Sequence, residues 1–86
     1  MTVVFYGSIT KYTNGEKRYT PKTHPTLRRL FGELGEHYGD QFASVIHGSE
    51  TCLILINGKG IMLSGGLDSS LNPGDKIEIL PFVEAG

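Results

Sequence analysis

Cysteine, net charge and long apolar runs are all scarce in this chain of 86 residues, and each scarcity excludes a class of protein. Cys52 is the single cysteine, so no internal disulfide can form, and a reducing cytoplasm is the expected location. The formal net charge of -1 argues against a nucleic-acid or membrane-surface partner. No apolar run is long enough to span a bilayer, and residues 1–6 lack the features of a signal peptide.

Catalytic and metal-ligating clusters are missing as well. His24, His37 and His47 do not have the spacing of a local metal pair, so no metal site is expected. Residues 58–60 are glycine-rich but lack the spacing of a phosphate-binding P-loop. The positions of the carboxylates do not indicate an acid–base pair, and the positions of the Ser, His and Asp residues do not indicate a catalytic triad. We therefore do not expect the chain to be catalytic alone.

The first half of the chain contains the pattern of two strands and a helix. Residues 2–7 are β-branched and aromatic, Asn14-Gly15 predicts a turn, and a charged edge strand over residues 16–20 should return antiparallel to the first. The helix is predicted from apolar residues on one face: Leu27, Leu30, Phe31, Leu34 and Tyr38.

The ends of this helix have their own signals. Pro25 is tolerated in the first turn, with Thr23 or His24 as the cap, and Gly39 ends the helix. The next segment, residues 41–48, is ambiguous between a short helical turn and a covering loop.

The second half predicts three more strands. Residues 50–56 are nearly continuous in apolar side chains, which is typical of a central strand or one covered on both faces. Asn57-Gly58 predicts a tight turn, after which residues 61–63 return as a short strand. One short helical turn should tuck Leu67 and Leu71 inward.

The last strand starts at Lys76, after a turn over residues 72–75. It should pair in parallel with the first strand at the centre of the sheet, because no hairpin turn connects these two strands. The Ile77/Ile79 pair should point to the helix, which leaves alternate residues on the opposite face.

This order of elements resembles the ubiquitin-like β-grasp fold: α+β, a mixed sheet of four to five strands with one main helix packed on one face. From residue 56 onward it resembles the small sulfur-carrier family, which includes the small subunit of molybdopterin synthase and the thiamine-pathway carrier. The residues that carry this likeness are Gly66, Leu67, Asp68, Leu71, Gly74, Asp75, Ile77, Ile79, Pro81, Val83 and Gly86. The long stretch over residues 38–51 favours the molybdopterin branch.

The resemblance implies that Gly86 carries the chemistry. In this family an E1-like, ATP-dependent activating enzyme adenylates the terminal glycine carboxylate, and sulfur then replaces AMP to give a thiocarboxylate. The carrier binds no cofactor, because the ATP is used by the activating enzyme. In the molybdopterin branch the tail enters a large synthase subunit and donates sulfur to a pterin precursor. Residues 1–86 are accordingly expected to form one domain, with a flexible tail over residues 83–86.

The tail departs from the family at one position. Val83, Glu84 and Ala85 precede Gly86, whereas the family ends in Gly-Gly. The added methyl group of Ala85 can cost on the order of 1–3 kcal/mol in a tight channel. It could slow activation, be accommodated, or mark a paralogue that has lost the chemistry or uses a different activating enzyme. The ending could also be that of a processed form.

A partner-docking surface is predicted on the face of the sheet away from the helix. Leu80 and Phe82 should share that face, and Tyr6 should join them if the first and last strands are neighbours. An exposed apolar patch beside a presented tail is typical of a partner site. The alternative is that residues 39–50 fold over it. The residues assigned to docking are Tyr6, Leu80, Pro81 and Phe82.

Two other functions stay open from the sequence. One is a ubiquitin-like interaction module whose tail does no chemistry, and the other is a thiamine-thiazole sulfur carrier. The intact mass after co-expression with an activating enzyme separates a carrier from a module. The large partner that co-purifies separates the two pathways.

Overall fold

The computed structural model describes residues 1–47, 52–61 and 65–81. Within these ranges the strands form a mixed sheet with the order β2-β1-β5-β3-β4. The strands are β1 (Thr2–Phe5), β2 (Arg18–Tyr19), β3 (Cys52–Ile56), β4 (Lys59–Gly60) and β5 (Lys76–Pro81). The helices are α1 (Leu27–Tyr38) and α2 (Asp40–His47), with 3-10 turns at Gly7–Tyr12 and Gly66–Asp68. The predicted α+β architecture is confirmed.

Strand β5 lies at the centre of the sheet. It pairs in parallel with β1, from Thr2 opposite Lys76 to Phe5 opposite Ile79. On its other side it pairs antiparallel with the whole of β3, from Ile77 opposite Ile56 to Pro81 opposite Cys52. The predicted parallel pair of first and last strands is therefore confirmed, and the charged β2 is the edge strand beyond β1.

Both predicted turns are present, because their residues adopt the left-handed conformation that the turns need. Asn14 and Gly15 have φ of 56° and 81°, and Asn57 and Gly58 have φ of 51° and 84°. The first turn does not join its strands directly, since the 3-10 turn Gly7–Tyr12 lies between them. Here the prediction of a simple hairpin was incomplete.

The second hairpin has a different register from the predicted one. The chain reverses direction within the two-residue turn, so β4 starts directly after it. β4 is Lys59–Gly60 and pairs with Ile56 and Leu55. The strand predicted over residues 61–63 was placed too late. Ile61 packs against the core instead, and residues 62–63 lie outside the described residues.

Helix α1 forms as predicted, but its cap does not. Thr26, and neither Thr23 nor His24, is the N-cap: its hydroxyl oxygen accepts the Arg29 N–H at 3.3 Å. Thr26 is extended and forms a β-bridge with Ser70, so the helix starts two or three residues later than predicted, at Leu27. The apolar face is buried as expected, and Gly39 ends the helix with φ of 98°.

The ambiguous segment after α1 is helical. In α2, Phe42 is 0% exposed and Ile46 3% exposed, and Phe42 packs edge-on against Phe5 on the core side of β1. The 3-10 turn at Gly66–Asp68 also places Leu71 in the core and Leu67 against it, as predicted. No helix in the described ranges combines the length and apolar character needed to cross a membrane.

Strand β3 lies between β5 and β4, so the predicted alternative of a central strand is confirmed, but only one of its faces is buried. Cys52, Ile54 and Ile56 face the core, whereas Leu53 is 41% exposed. The strand is therefore not covered on both faces. Side chains of α1 and α2 belong to one core cluster, and only alternate residues of β3 pack into that cluster.

Candidate docking face and start of the tail

A row of three side chains crosses β1, β5 and β3 on the face of the sheet opposite the core. Tyr6 follows β1 and is still extended, and its N–H donates to the Ile79 carbonyl at 3.0 Å. This parallel bond places Tyr6 beside Leu80. Leu80 in turn is the antiparallel partner of Leu53. We call Tyr6, Leu80 and Leu53 the docking row.

The docking row is accessible in the described part of the chain. Tyr6 is 36% exposed and Leu53 is 41% exposed, and Leu80 is partly exposed. Residues 39–47 do not cover the row, because Phe42 and Ile46 of α2 point into the core on the other face. The alternative of a covering loop is thus wrong for this segment, and residues 48–50 lie outside the described residues.

Leu53 was missed by the sequence reasoning. Its strand, Cys52–Ile56, is a continuous apolar run, and such a run does not reveal which residues face outward. A signal was available nevertheless. A small domain with helices on one side of its sheet leaves the other side open, so alternate residues of every interior strand must face outward.

A carboxylate borders the docking row. The Tyr6 hydroxyl donates to Glu78 Oε2 at 2.6 Å, and Lys76 Nζ lies 3.7 Å from the same oxygen. The hydrogen bond to Glu78 raises the pKa of Tyr6 above its ordinary value. By strand register Glu78 stands between Val4 on β1 and Leu55 on β3. The docking row is therefore bordered by an internally paired acid, with Lys76 and Arg18 on the same face of the sheet.

Pro81 lies next to the docking row but on the other face of the sheet. It is the partner of Cys52, two residues beyond the buried Ile79. In a parallel ladder the next donor to the Tyr6 carbonyl would be the N–H of residue 81, which proline lacks. The Tyr6 carbonyl accepts the Ile9 N–H instead, at 3.1 Å. The pairing of β5 with β1 consequently ends here.

The remaining predicted site residues lie outside the described residues. They are Phe82, Val83, Glu84, Ala85 and Gly86. The structure thus brings Tyr6 and Leu80 together, adds Leu53 to them, and puts Pro81 at the end of the central strand.

The opposite end of β5 is held by a polar clamp. Asp75 accepts the Asn72 N–H at 2.8 Å and the Asn57 side-chain amide at 2.9 Å. The Asn57 side-chain oxygen accepts the Lys76 N–H at 2.9 Å. The bonds from Asn72 and Asn57 hold the pKa of Asp75 below its ordinary value. This clamp fixes the turn before β5 against the turn after β3.

A second polar cluster ties the edge of the sheet to α1. Glu33 accepts hydrogen bonds from the Tyr19 hydroxyl at 2.6 Å and the Lys22 N–H at 3.0 Å, and His24 Nε2 lies 2.7 Å from it. Burial alone would raise the pKa of Glu33, but these bonds outweigh it and hold the pKa below its ordinary value. The bond to Glu33 raises the pKa of Tyr19 to about 12.

The cluster around Glu33 has a structural role. Its carboxylate oxygens are occupied by protein donors, and the described ranges contain no group of three His, Cys, Asp or Glu side chains arranged to hold a metal ion. It fastens β2 and the segment before α1 to the helix.

Comparison with known proteins matches the whole chain to one family and one fold. Residues 3–86 match the model of the ThiS family. A chain of the Amycolatopsis orientalis BexX/CysO complex is 23% identical with a TM-score of 0.82, and the alignment covers 99% of this chain and 98% of that one. Mycobacterium tuberculosis CysO is 25% identical with a TM-score of 0.81, at 95% and 98% coverage.

A third solved structure is a complex of subunits 1 and 2 of the molybdopterin-converting factor from Helicobacter pylori. One of its chains is 27% identical with a TM-score of 0.65, and the alignment covers 99% of this chain and 96% of that one. A search of curated proteins gave no match. The ubiquitin-like β-grasp fold implied by the resemblance is confirmed.

Proposed function

This chain belongs to the ThiS family, and we propose on that premise that it is a sulfur carrier of the molybdopterin-synthase small-subunit type, with Gly86 as the site of the thiocarboxylate. The observation that supports it best is the position of β5. This strand is paired on both sides, and its last residue, Pro81, lies beside the docking row. The central strand of the sheet thus leads toward the tail.

The chemistry needs an activated carboxylate. An E1-like enzyme transfers AMP from ATP to the Gly86 carboxylate and releases pyrophosphate. A sulfide-level sulfur then attacks the acyl carbon, AMP leaves, and the carboxylate becomes a thiocarboxylate. The chain contributes the carboxylate and a rigid base for it. The five residues after Pro81 can reach at most about 18 Å, enough to enter a pocket in another protein.

The large synthase subunit is the partner that we propose for the docking row. A surface of Tyr6, Leu80 and Leu53 is the type of apolar patch that marks an interface. The Helicobacter pylori complex supports this choice, because its chain of 27% identity belongs to a two-subunit molybdopterin-converting factor. The length of the segment over residues 38–51 supports the molybdopterin branch as well. We place the protein in the cytoplasm, where ATP-dependent activation occurs.

The test combines modification with partner capture. The chain ending at Gly86 is co-expressed with the activating enzyme of the same genome, and its intact mass is measured beside a control that lacks Gly86. The proposal predicts an oxygen-to-sulfur mass change in the first protein alone, and co-purification with the large molybdopterin synthase subunit. An unmodified carboxylate would indicate an interaction module, and a thiocarboxylate with a thiazole-forming partner would indicate the thiamine pathway.

A further inference from the structure

We propose that Glu78 is a positioning residue for docking: it holds the Tyr6 ring in the docking row and satisfies the Tyr6 hydroxyl before any partner arrives. The partner surface that covers Tyr6 is then apolar and supplies no hydrogen-bond acceptor to it. This inference rests on the proposed function in one respect, since the partner is taken to be the large synthase subunit.

The geometry gives Tyr6 few other restraints. It is the last extended residue before Gly7, whose φ of 54° turns the chain away from the sheet. The ring is 36% exposed. Its hydroxyl donates to Glu78 Oε2 at 2.6 Å, the length of a strong charge-assisted hydrogen bond. Glu78 is therefore well placed to fix the orientation of the ring.

Glu78 itself is firmly held. Its side chain is 17% exposed, and its strand is paired on both sides, with Val4 and Leu55 as its neighbours across the sheet. Lys76 Nζ lies 3.7 Å from the same oxygen that accepts the Tyr6 hydroxyl. The carboxylate thus keeps a positive charge nearby when a partner covers the face and removes water.

The hydrogen bond between Tyr6 and Glu78 determines how polar the partner surface must be. A buried hydroxyl without an acceptor destabilises an interface, whereas replacing both members of a hydrogen-bonded pair by apolar groups can be nearly neutral. Since Glu78 accepts from Tyr6 inside the chain, an apolar partner surface meets no unsatisfied group on the ring. Removing Glu78 leaves the Tyr6 hydroxyl unpaired beneath the partner, and removing the Tyr6 hydroxyl leaves the Glu78 carboxylate with only the more distant Lys76 ammonium group.

The chain contains a matched control. Tyr19 donates to Glu33 Oε2 at the same distance of 2.6 Å, but this pair joins β2 to α1 and is not part of the docking row. Tyr19→Phe removes the same kind of bond as Tyr6→Phe. It is expected to lower stability without changing the affinity of the folded protein for its partner.

The experiment measures binding of the purified large molybdopterin synthase subunit by calorimetry, after thermal unfolding has shown that each variant is folded. Tyr6→Phe and Glu78→Leu should each weaken binding by roughly tenfold, the effect of one unpaired buried polar group. The double variant should bind more tightly than either single variant. Glu78→Gln, which can still accept the hydroxyl hydrogen, should bind like the wild type.

The outcomes separate this inference from the function on which it rests. If the wild type binds and the losses of the two single variants simply add in the double variant, the positioning role is wrong and the proposed function stands. The same conclusion follows if Tyr19→Phe weakens binding as much as Tyr6→Phe. A wild type that does not bind the large subunit overturns the proposed partner and this inference with it.

Discussion

Leu53 and Ile54 are neighbours on β3 with opposite environments, and this contrast allows a direct test of the docking row. Leu53 is 41% exposed opposite Leu80, whereas Ile54 is 5% exposed in the core. Leu53→Glu should therefore weaken partner binding and change stability little, since exposed substitutions usually shift it by about 0.5 kcal/mol or less. Ile54→Val should lower stability and leave the binding of the folded protein unchanged.

The magnitudes follow from burial. Full burial of a leucine is worth about 1.5–3 kcal/mol, so docking over the 41% of Leu53 that is exposed is worth about 1 kcal/mol. An unpaired carboxylate under an apolar partner adds at least the penalty of about 1–3 kcal/mol that a neutral polar group would incur. Together these weaken binding by at least roughly 30-fold. Ile54→Val should cost about 0.5–1.5 kcal/mol of stability, or roughly 2–12 °C in Tm for a domain of this size.

The assay pairs calorimetric titration against the large synthase subunit with thermal unfolding followed by circular dichroism. The reasoning predicts two separate phenotypes from adjacent residues, because successive side chains of a strand face opposite sides of the sheet. If Leu53→Glu binds within about threefold of the wild type, a difference of about 0.7 kcal/mol, the docking row is not the interface. If it unfolds as readily as Ile54→Val, the assigned faces of β3 are wrong.

Three further predictions concern the clamp, the acid response and the tail. Asn57→Ala should lower the free energy of unfolding, measured by urea denaturation, by about 2–3 kcal/mol, because two side-chain hydrogen bonds are lost and alanine is strained at positive φ. Asn57→Gly should lower the free energy of unfolding by less, because glycine adopts positive φ without strain. Glu33 and Asp75 have lowered carboxyl pKa values, so their stabilisation is complete above the ordinary carboxyl pKa of about 4 and is lost as the pH falls through the folded-state values. The Tm should drop between neutral and acidic pH, and less steeply in Glu33→Gln; equal slopes would contradict the assignment. Ala85→Gly should raise the rate of thiocarboxylate formation in the mass assay, and an equal or lower rate would mean that the natural tail already suits its enzyme.

Local signals predicted the elements well where a single physical cause dominates. The 3.6-residue period located α1 because one apolar face is buried from Leu27 to Leu34. Asn57-Gly58 located a turn because few other pairs adopt two successive positive φ values. The cap at Thr26 depends on a bridge to Ser70, a contact over 40 residues away in sequence, so the local pattern could not identify it.

The site was predicted only in part for a similar reason. Tyr6 and Leu80 could be paired from strand order alone, because a parallel first and last strand brings them side by side. Leu53 required knowledge of the register between β3 and β5, which a uniformly apolar strand does not specify. The Tyr6–Glu78 hydrogen bond joins two residues of different strands and was likewise beyond reach of the sequence.

The two ends of β5 have different roles, and this separation explains why stability and docking can be altered independently. The clamp at Asp75 holds one end of the strand, and the docking row with Pro81 lies at the other. The six residues of β5 separate these ends by about 20 Å at the usual rise of a strand. Between them Ile77 and Ile79 are fully buried against the helices, while Glu78 and Leu80 occupy the opposite face. Substitutions at the clamp should therefore act mainly through unfolding, and substitutions on the row mainly through the partner. Lys76 links the two ends, because its N–H donates to Asn57 and its Nζ lies 3.7 Å from Glu78, but it contributes only its backbone to the clamp.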